Sequence, residues 1–534
     1  MDTNIKRLPY GLCNFEDLIT ENYGYVDKTR YIALLEQENN PYQIFIRPRK
    51  FGKSLFFSLL SCYYDINYAD KFNSLFGGLY IGQHPTPNRN GYAMLKFDFS
   101  GINTSSAETL RVSFYDKVRG NLLDFVSTYG YLFPNADSEM KIIQETVQST
   151  SALITLYRMV KAAGVKLFVI IDEYDHFAND LIALGTTIGD DVYHRMVQAN
   201  GMVRDFYEVL KDGTKSVVKR IFITGISPVM LNDLTSGFNI ADNLTLDVQY
   251  NEMLGFTQDE VNAIMGETGV NPEYINVNME RYYNGYLFNE DGAYRVYNPA
   301  MVLYFFNQIL KGKQAPEKIV DDNNRTDYAR LQRLVQNDRN RETLLEIVKG
   351  NGIIANIASQ FSIDEMYNDD YFISLLFYMG LLTIDTAIEG DIRLKIPNYS
   401  IQTLYWEYIE RLTRDLNTEV SINVREQSAA IRELAYRGNP VPYLEYISKN
   451  IFSRLSNRDL IGFDEKYIKI MLLNGLFQSN LYEPVTEREI DQGYLDMYLQ
   501  RNPRLPDVKY EWVWELKYLK KEDSGKLEAK RTAA

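Results

Sequence analysis

The run Lys166–Asp175, KLFVIIDEYD, sets the tightest limit on what this chain can fold into. Leu167 to Ile171 are apolar without interruption. A strand with one wet face would alternate apolar and polar residues, so an unbroken run predicts a strand covered on both faces. Strands of that kind belong to parallel sheets sandwiched between helices. The run ends in two adjacent carboxylates, Asp172 and Glu173. Acids at the end of a buried strand are costly unless a cation or solvent receives them.

A second strand candidate lies upstream. From Tyr42 the sequence reads YQIFIRPRKFGKSLFFSLLSCYY: a short apolar run, a basic turn, then an apolar-rich stretch with helical spacing. The turn Arg47-Pro48-Arg49-Lys50-Phe51-Gly52-Lys53-Ser54 fits the Walker A pattern G-x-x-x-x-G-K-[ST] at each fixed position except the first, where Arg47 replaces glycine. In that pattern Gly52 lets the backbone turn closely around a phosphate, Lys53 reaches the β- and γ-phosphates, and the Ser54 hydroxyl goes to Mg²⁺. Arg49, Lys50, Phe51 and Leu55 complete the loop and the first turn of a helix whose amides point at the same anion. Alone, the octapeptide could be an exposed basic turn. Followed by KLFVIIDEYD it reads as half of a nucleotide site, with Asp172 holding Mg²⁺ directly or through water and Glu173 polarising the attacking water. The expected ligands are ATP and Mg²⁺.

Two more strands are expected at MLKFDFS (Met94–Ser100) and RIFITG (Arg220–Gly225). Thr224, with Gly225 and Ser227, is a candidate to sense the γ-phosphate, although a polar residue leaving a strand is commonly just a turn. Four strands alternating with helical sequence predict a P-loop NTPase of α/β class: a doubly wound parallel sheet with its ligand at the strand carboxyl ends.

At 534 residues the chain exceeds one core, and roughly 100–200 residues per domain suggests about three or four units. A net charge of −14 argues against a protein that coats nucleic acid with its whole surface. Any such contact must be local, and the tail with Lys517, Lys520, Lys521, Lys526, Lys530 and Arg531 is one candidate. Cys13 and Cys62 cannot build a disulfide framework or a zinc cluster, and the three histidines are scattered. No apolar run approaches the roughly 20 residues of a membrane span, and the start, MDTNIKRLPYGL, lacks a signal-peptide core. A cytoplasmic protein without a membrane partner is expected.

After about residue 250 helical patterns take over. Asp259 and Glu260 fall early in a helix, where its dipole favours acids, and Tyr282, Tyr283 and Tyr286 are expected to be packing residues. The segment from Asp369 reads helix, strand, turn, strand, helix, compatible with a winged-helix-like unit in a packing role. Near the end, GYLDMYL (Gly493–Leu499) and EWVWELKYL (Glu511–Leu519) are two strands able to pair. A period of two puts Glu515 and Lys517 on one face, and Asp496 can approach from the neighbouring strand. Metal-assisted phosphodiester cleavage needs such a set: Asp496 and Glu515 to hold Mg²⁺, Lys517 to orient or deprotonate the water. An E-x-K tripeptide by itself is also a common solvated strand edge.

YGYVDKTRYI (Tyr23–Ile32), RPRKFGKS, IIDEYD, TGISPV from Thr224, SGFN from Ser236, GFTQDEV from Gly255, YYNGY from Tyr282 and VYNP from Val296 together resemble the bacterial AAA-ATPase-like proteins fused to a PD-(D/E)XK nuclease domain, of the type abundant in Bacteroidetes. That family commonly has a basic residue where Arg47 stands. The resemblance implies an AAA-like ATPase core over 1–250, a helical lid over 251–320, a helical, winged-helix-like region over 321–440 and a PD-(D/E)XK nuclease-like domain over 441–534. It implies nucleic acid as partner of the last domain and is compatible with a homo-oligomer. Glu487, with Glu465 as a rival, resembles the family's additional acid, and Asp507 ranks below Asp496. The family completes its nuclease domain with a helix after the E-x-K strand, whereas this sequence stops at KLEAKRTAA, so a truncated C-terminus is expected. Two functions follow: an ATPase regulating a Mg-dependent nuclease, or an ATP-dependent switch whose nuclease fold is degenerate and non-catalytic.

Overall fold

All four expected strands form, and a fifth joins them: β1 (Tyr42–Ile46), β2 (Ala93–Asp98), β3 (Leu167–Asp172), β4 (Val218–Gly225) and β5 (Asp242–Asn243). The computed structural model describes residues 5–516 apart from 185–188, 198–200, 235–236, 313–314, 317–319, 322–330, 332–333, 336, 349–351, 389, 417–422, 451–471, 474, 478 and 491–492. The sheet order is β2-β3-β4-β1-β5 and every pairing is parallel. Both central strands of the expected site therefore end at the same edge, with β4 between them: Ile46 stands opposite Gly225, and Ile171 opposite Ile223.

The unbroken apolar run of β3 is buried at all six positions, as a strand covered on both faces requires. Parallel neighbours need long crossovers, and helices supply them. The helix Ala107–Tyr129 turns Leu110, Phe114, Val118, Leu122 and Phe125 inward, a spacing that keeps one face on the core, and Ser106 caps it by accepting from the Thr109 amide. Each such side chain is worth about 1.5–3 kcal/mol on full burial. β5 has only two residues, too few to leave a pattern in the sequence.

Two compact units emerge: residues 1–274, 283–341 and 354–397 form the first, and residues 275–282, 342–353 and 398–534 the second. The segment from Asp369 has the expected order: helix Asp369–Tyr378, antiparallel strands Thr383–Ile388 and Asp391–Lys395, helix Tyr399–Leu416. The boundary between the two units falls inside it, after Pro397. In the second unit Gly493–Arg501 is the central strand of three, antiparallel to Tyr482–Ile490 and to Trp512–Trp514. The two expected strands thus pair, with Met497 opposite Trp514. Among the described residues no helix is long and apolar enough to cross a membrane.

Candidate functional site

Gly52 adopts φ 96°, a left-handed backbone that glycine takes without steric cost, and immediately starts the helix Lys53–Tyr64. Lys50 is left-handed too, at φ 68°. The phosphate loop is held open by its own residues: Lys53 Nζ donates to the carbonyls of Arg47 (2.8 Å) and Pro48 (2.9 Å). Phe51 is buried and meets Tyr286 edge-on at 5.0 Å, so Tyr286 packs, as expected, against the loop itself.

Arg47, the departure from the general Walker A pattern, is fully buried. Its guanidinium donates to the carbonyls of Ile46 (2.9 Å), Thr245 (2.7 Å) and Tyr250 (2.9 Å) and lies between the rings of Phe45 and Phe288 at 4.2 and 4.0 Å. A glycine there would leave the loop unattached to the 245–250 segment. Arg47 bolts the loop down from behind.

Asp172 ends β3 with 7% of its surface exposed. Burial pushes its carboxyl up to about 6, against the opposing pull of the Lys53 ammonium and a hydrogen bond from the Ser54 side chain. Burial in turn lowers Lys53, against Asp172, Asp175 and Glu173. Lys53, Ser54 and Asp172 are therefore one cluster. A buried carboxylate beside an exposed serine hydroxyl is a pair of hard oxygen donors, and Mg²⁺, which keeps several waters, takes such a pair readily. The residues fit the ion.

Glu173 sits at φ 51°, donates its amide to Asp172 Oδ1 (2.9 Å), and places Oε2 3.1 Å from His176 Nδ1. The hydrogen bond from His176 lowers its pKa. His176 is a residue that composition alone passed over as scattered. Its signal was its place three residues after Glu173, one helical turn away. Asp175, the last acid of the run, is fully buried and accepts from Ile226 N (3.1 Å), Ser227 N (2.8 Å), Ser227 Oγ (2.9 Å) and Asn179 Nδ2 (2.7 Å). It ties the turn after β3 to the turn after β4. Gly225 is obligatory between them, since a Cβ there would stand 2.4 Å from Asp175 Oδ1.

Thr224 was expected beside a γ-phosphate. Its hydroxyl donates to the Phe45 carbonyl (2.8 Å), buried between β4 and β1. The parallel register puts Thr224 opposite Phe45, and a hydroxyl buried there must satisfy itself on the adjacent strand.

Arg49 to Leu55, Glu173 and His176 line a cleft of about 810 Å³. Its remaining wall comes from Pro9–Cys13, Gly24–Val26, Met253–Phe256 and Leu303, largely apolar. Lys28 also borders it and joins Glu260 (2.7 Å), the residue that closes the capping box of the helix Gln258–Glu267. Glu260 thus has the structural role expected of it.

In the second unit, Asp496 Oδ2 accepts from the Leu516 amide (2.8 Å), which brings Asp496 beside the Glu515–Leu516 step. Glu515 itself follows the last strand residue, Trp514, and is exposed. Lys517 and Glu465 lie outside the described residues, and so does the Glu487 side chain. Asp507 is exposed in the turn joining the strands. Sequence reasoning passed over Glu483, which is buried and accepts from Arg281 Nη1 (2.5 Å) and Tyr282 Oη.

Residues 9–235 match a family model described as "Predicted AAA-ATPase", and residues 463–534 match one described as "PD-(D/E)XK nuclease superfamily". An uncharacterized protein in the vnfD 5′ region of Azotobacter chroococcum mcd 1 is 26% identical over 311 residues, 57% of this chain and 52% of that protein. The chain thus spans about half the length of the curated relative it matches. Similar solved structures include the Walker-type ATPase PABY2304 of Pyrococcus abyssi, 11% identical with a TM-score of 0.37 over 76% of this chain and 99% of that one. They also include Cdc6p from Pyrobaculum aerophilum, 10% identical with a TM-score of 0.27 over 77% and 97% of the two chains. The Aeropyrum pernix Orc1 protein in complex with DNA is 9% identical, with a TM-score of 0.29 over 77% and 100%.

Proposed function

This chain carries an AAA-ATPase-like domain and a C-terminal PD-(D/E)XK nuclease superfamily domain, and from that premise we propose that it binds and hydrolyses ATP to regulate Mg-dependent cleavage of nucleic acid. The observation that carries the ATPase half is the cluster of Lys53, Ser54 and Asp172 at the carboxyl ends of β1 and β3.

In this reading Lys53 exchanges the carbonyls of Arg47 and Pro48 for the β- and γ-phosphate oxygens, joined by the amides that open the helix Lys53–Tyr64. Ser54 and Asp172 would hold Mg²⁺, which supplies neutralisation of the charge developing between the phosphates. Glu173 orients the attacking water and accepts its proton as the water oxygen bonds to the γ-phosphorus and the bond to ADP breaks. The apolar wall of the cleft takes the base and sugar. At the other end, Asp496 and Glu515 would hold Mg²⁺ and Lys517 would orient the water that attacks a backbone phosphate. The support there is the Asp496–Leu516 contact together with the order of the motif.

Nucleotide-dependent thermal stabilisation tests the first half. A ligand at 100 times its Kd adds about 2.7 kcal/mol, so ATP with Mg²⁺ should raise the melting temperature of the full chain and fail to do so in Lys53→Ala. No shift, or an equal shift in both, defeats the proposal. Mg-dependent plasmid nicking, lost in Lys517→Ala, tests the second half. ATP binding without nicking would instead favour a switch with a degenerate nuclease fold.

A further inference from the structure

His176 opens the helix His176–Leu184 and stands between two carboxylates, with Nδ1 3.1 Å from Glu173 Oε2 and Nε2 3.5 Å from Asp180 Oδ2. Its side chain is largely buried but borders the same cleft as Lys53 and Glu173. Glu173 is unusual in its own right: a non-glycine residue at φ 51° costs about 1–3 kcal/mol and persists only where its surroundings over-determine it. Two contacts do so here, the amide on Asp172 Oδ1 and the carboxylate on His176. A carboxylate has two oxygens; with Oε2 given to the imidazole, the other is available to accept from water.

We propose that His176 is a positioning residue for the hydrolytic step: braced against Asp180, it holds Glu173 by one carboxylate oxygen so that the second is presented to the attacking water. This rests on the ATPase reading above. The charged groups bearing on the imidazole are Glu173 from the turn before its helix, Asp180 from the same helix and Arg49 from the phosphate loop. Its bond to Glu173, then the field of Asp180, raise its pKa against burial and Arg49. The bridge is complete when both ring nitrogens carry protons. As pH rises through that raised pKa one N–H is lost, the bridge opens, and turnover falls on the alkaline side.

The test is steady-state ATP turnover of the full chain between pH 6 and 9, with affinity for a fluorescent ATP analogue measured in parallel. His176→Ala should lose at least tenfold in kcat with the analogue Kd within twofold of the parent. His176→Gln, which keeps one non-titrating N–H donor, should recover at least threefold over His176→Ala and lose the alkaline limb. Asp180→Asn should move that limb to lower pH. Equal or faster turnover in His176→Ala, or an unchanged alkaline limb in His176→Gln, overturns the proposal. A parent chain that binds the analogue but does not turn over ATP also overturns it, leaving nucleotide binding intact; absence of binding in the parent removes the underlying reading as well.

Discussion

Replacing Arg47 by glycine would restore the general Walker A pattern, yet the structure predicts that it damages the protein. Removing the guanidinium strips the buried carbonyls of Ile46 and Thr245 of these donors, each at a cost of about 1–3 kcal/mol. The Tyr250 carbonyl loses less, because the Met253 amide also donates to it at 3.1 Å. Two cation–π contacts, with Phe45 and Phe288, add about 0.5–2 kcal/mol apiece, and the new glycine costs more backbone entropy. Against these stands the several kcal/mol spent on burying a cation, which the substitution returns. The balance is a loss of about 3 kcal/mol. Domains of about 150–250 residues shift by about 2–4 °C per kcal/mol, and a larger unit by less, so the melting temperature should fall by about 5 °C. Calorimetry on the full chain, with Arg47→Met as a control that fills the volume but leaves the carbonyls unmet, reads the effect directly. If Arg47→Gly melts within 1 °C of the parent and binds ATP at least as tightly, the buried-anchor account is wrong.

Asp172→Asn should stabilise the protein in EDTA above pH 6. The folded carboxyl at about 6 against 3.8 means the native state holds its proton more tightly than the unfolded chain; the cost of ionising it is absent well below pH 4, grows between about pH 4 and 6, and then stays level at no more than about 3 kcal/mol. Equal stability of the two chains by urea unfolding at pH 7.5 would contradict this. Asp175→Asn opposes a new amide donor to the donors from Ile226, Ser227 and Asn179 and should cost about 3 kcal/mol, read as a lower urea midpoint; an unchanged midpoint would show that the two turns are held by something else. Gly225→Ala forces a Cβ to within 2.4 Å of Asp175 Oδ1 and 2.5 Å of Tyr174 Cδ1, and should destabilise by about 1–3 kcal/mol; a chain that melts normally would mean that the turn can shift without loss.

Sequence by itself determined the strands and the carriers of charge. An apolar run without polar interruption can only be buried on both faces, which predicts a parallel sheet, and Lys53, Ser54, Asp172 and Glu173 followed from residue type at fixed spacing. The pairing of Gly493–Arg501 with Trp512–Trp514 was legible in the same way, because alternation along paired strands is local geometry. Tertiary structure decided what spacing cannot encode. It set β4 between β1 and β3, which placed Thr224 opposite Phe45 and gave its hydroxyl the Phe45 carbonyl as partner. It found partners for Arg47 some 200 positions along the chain, at Thr245 and Tyr250, and so made an apparent defect in a motif into an anchor. It joined Asp175 to the turn after β4, since hydrogen-bond partners of buried polar groups are chosen by proximity in space.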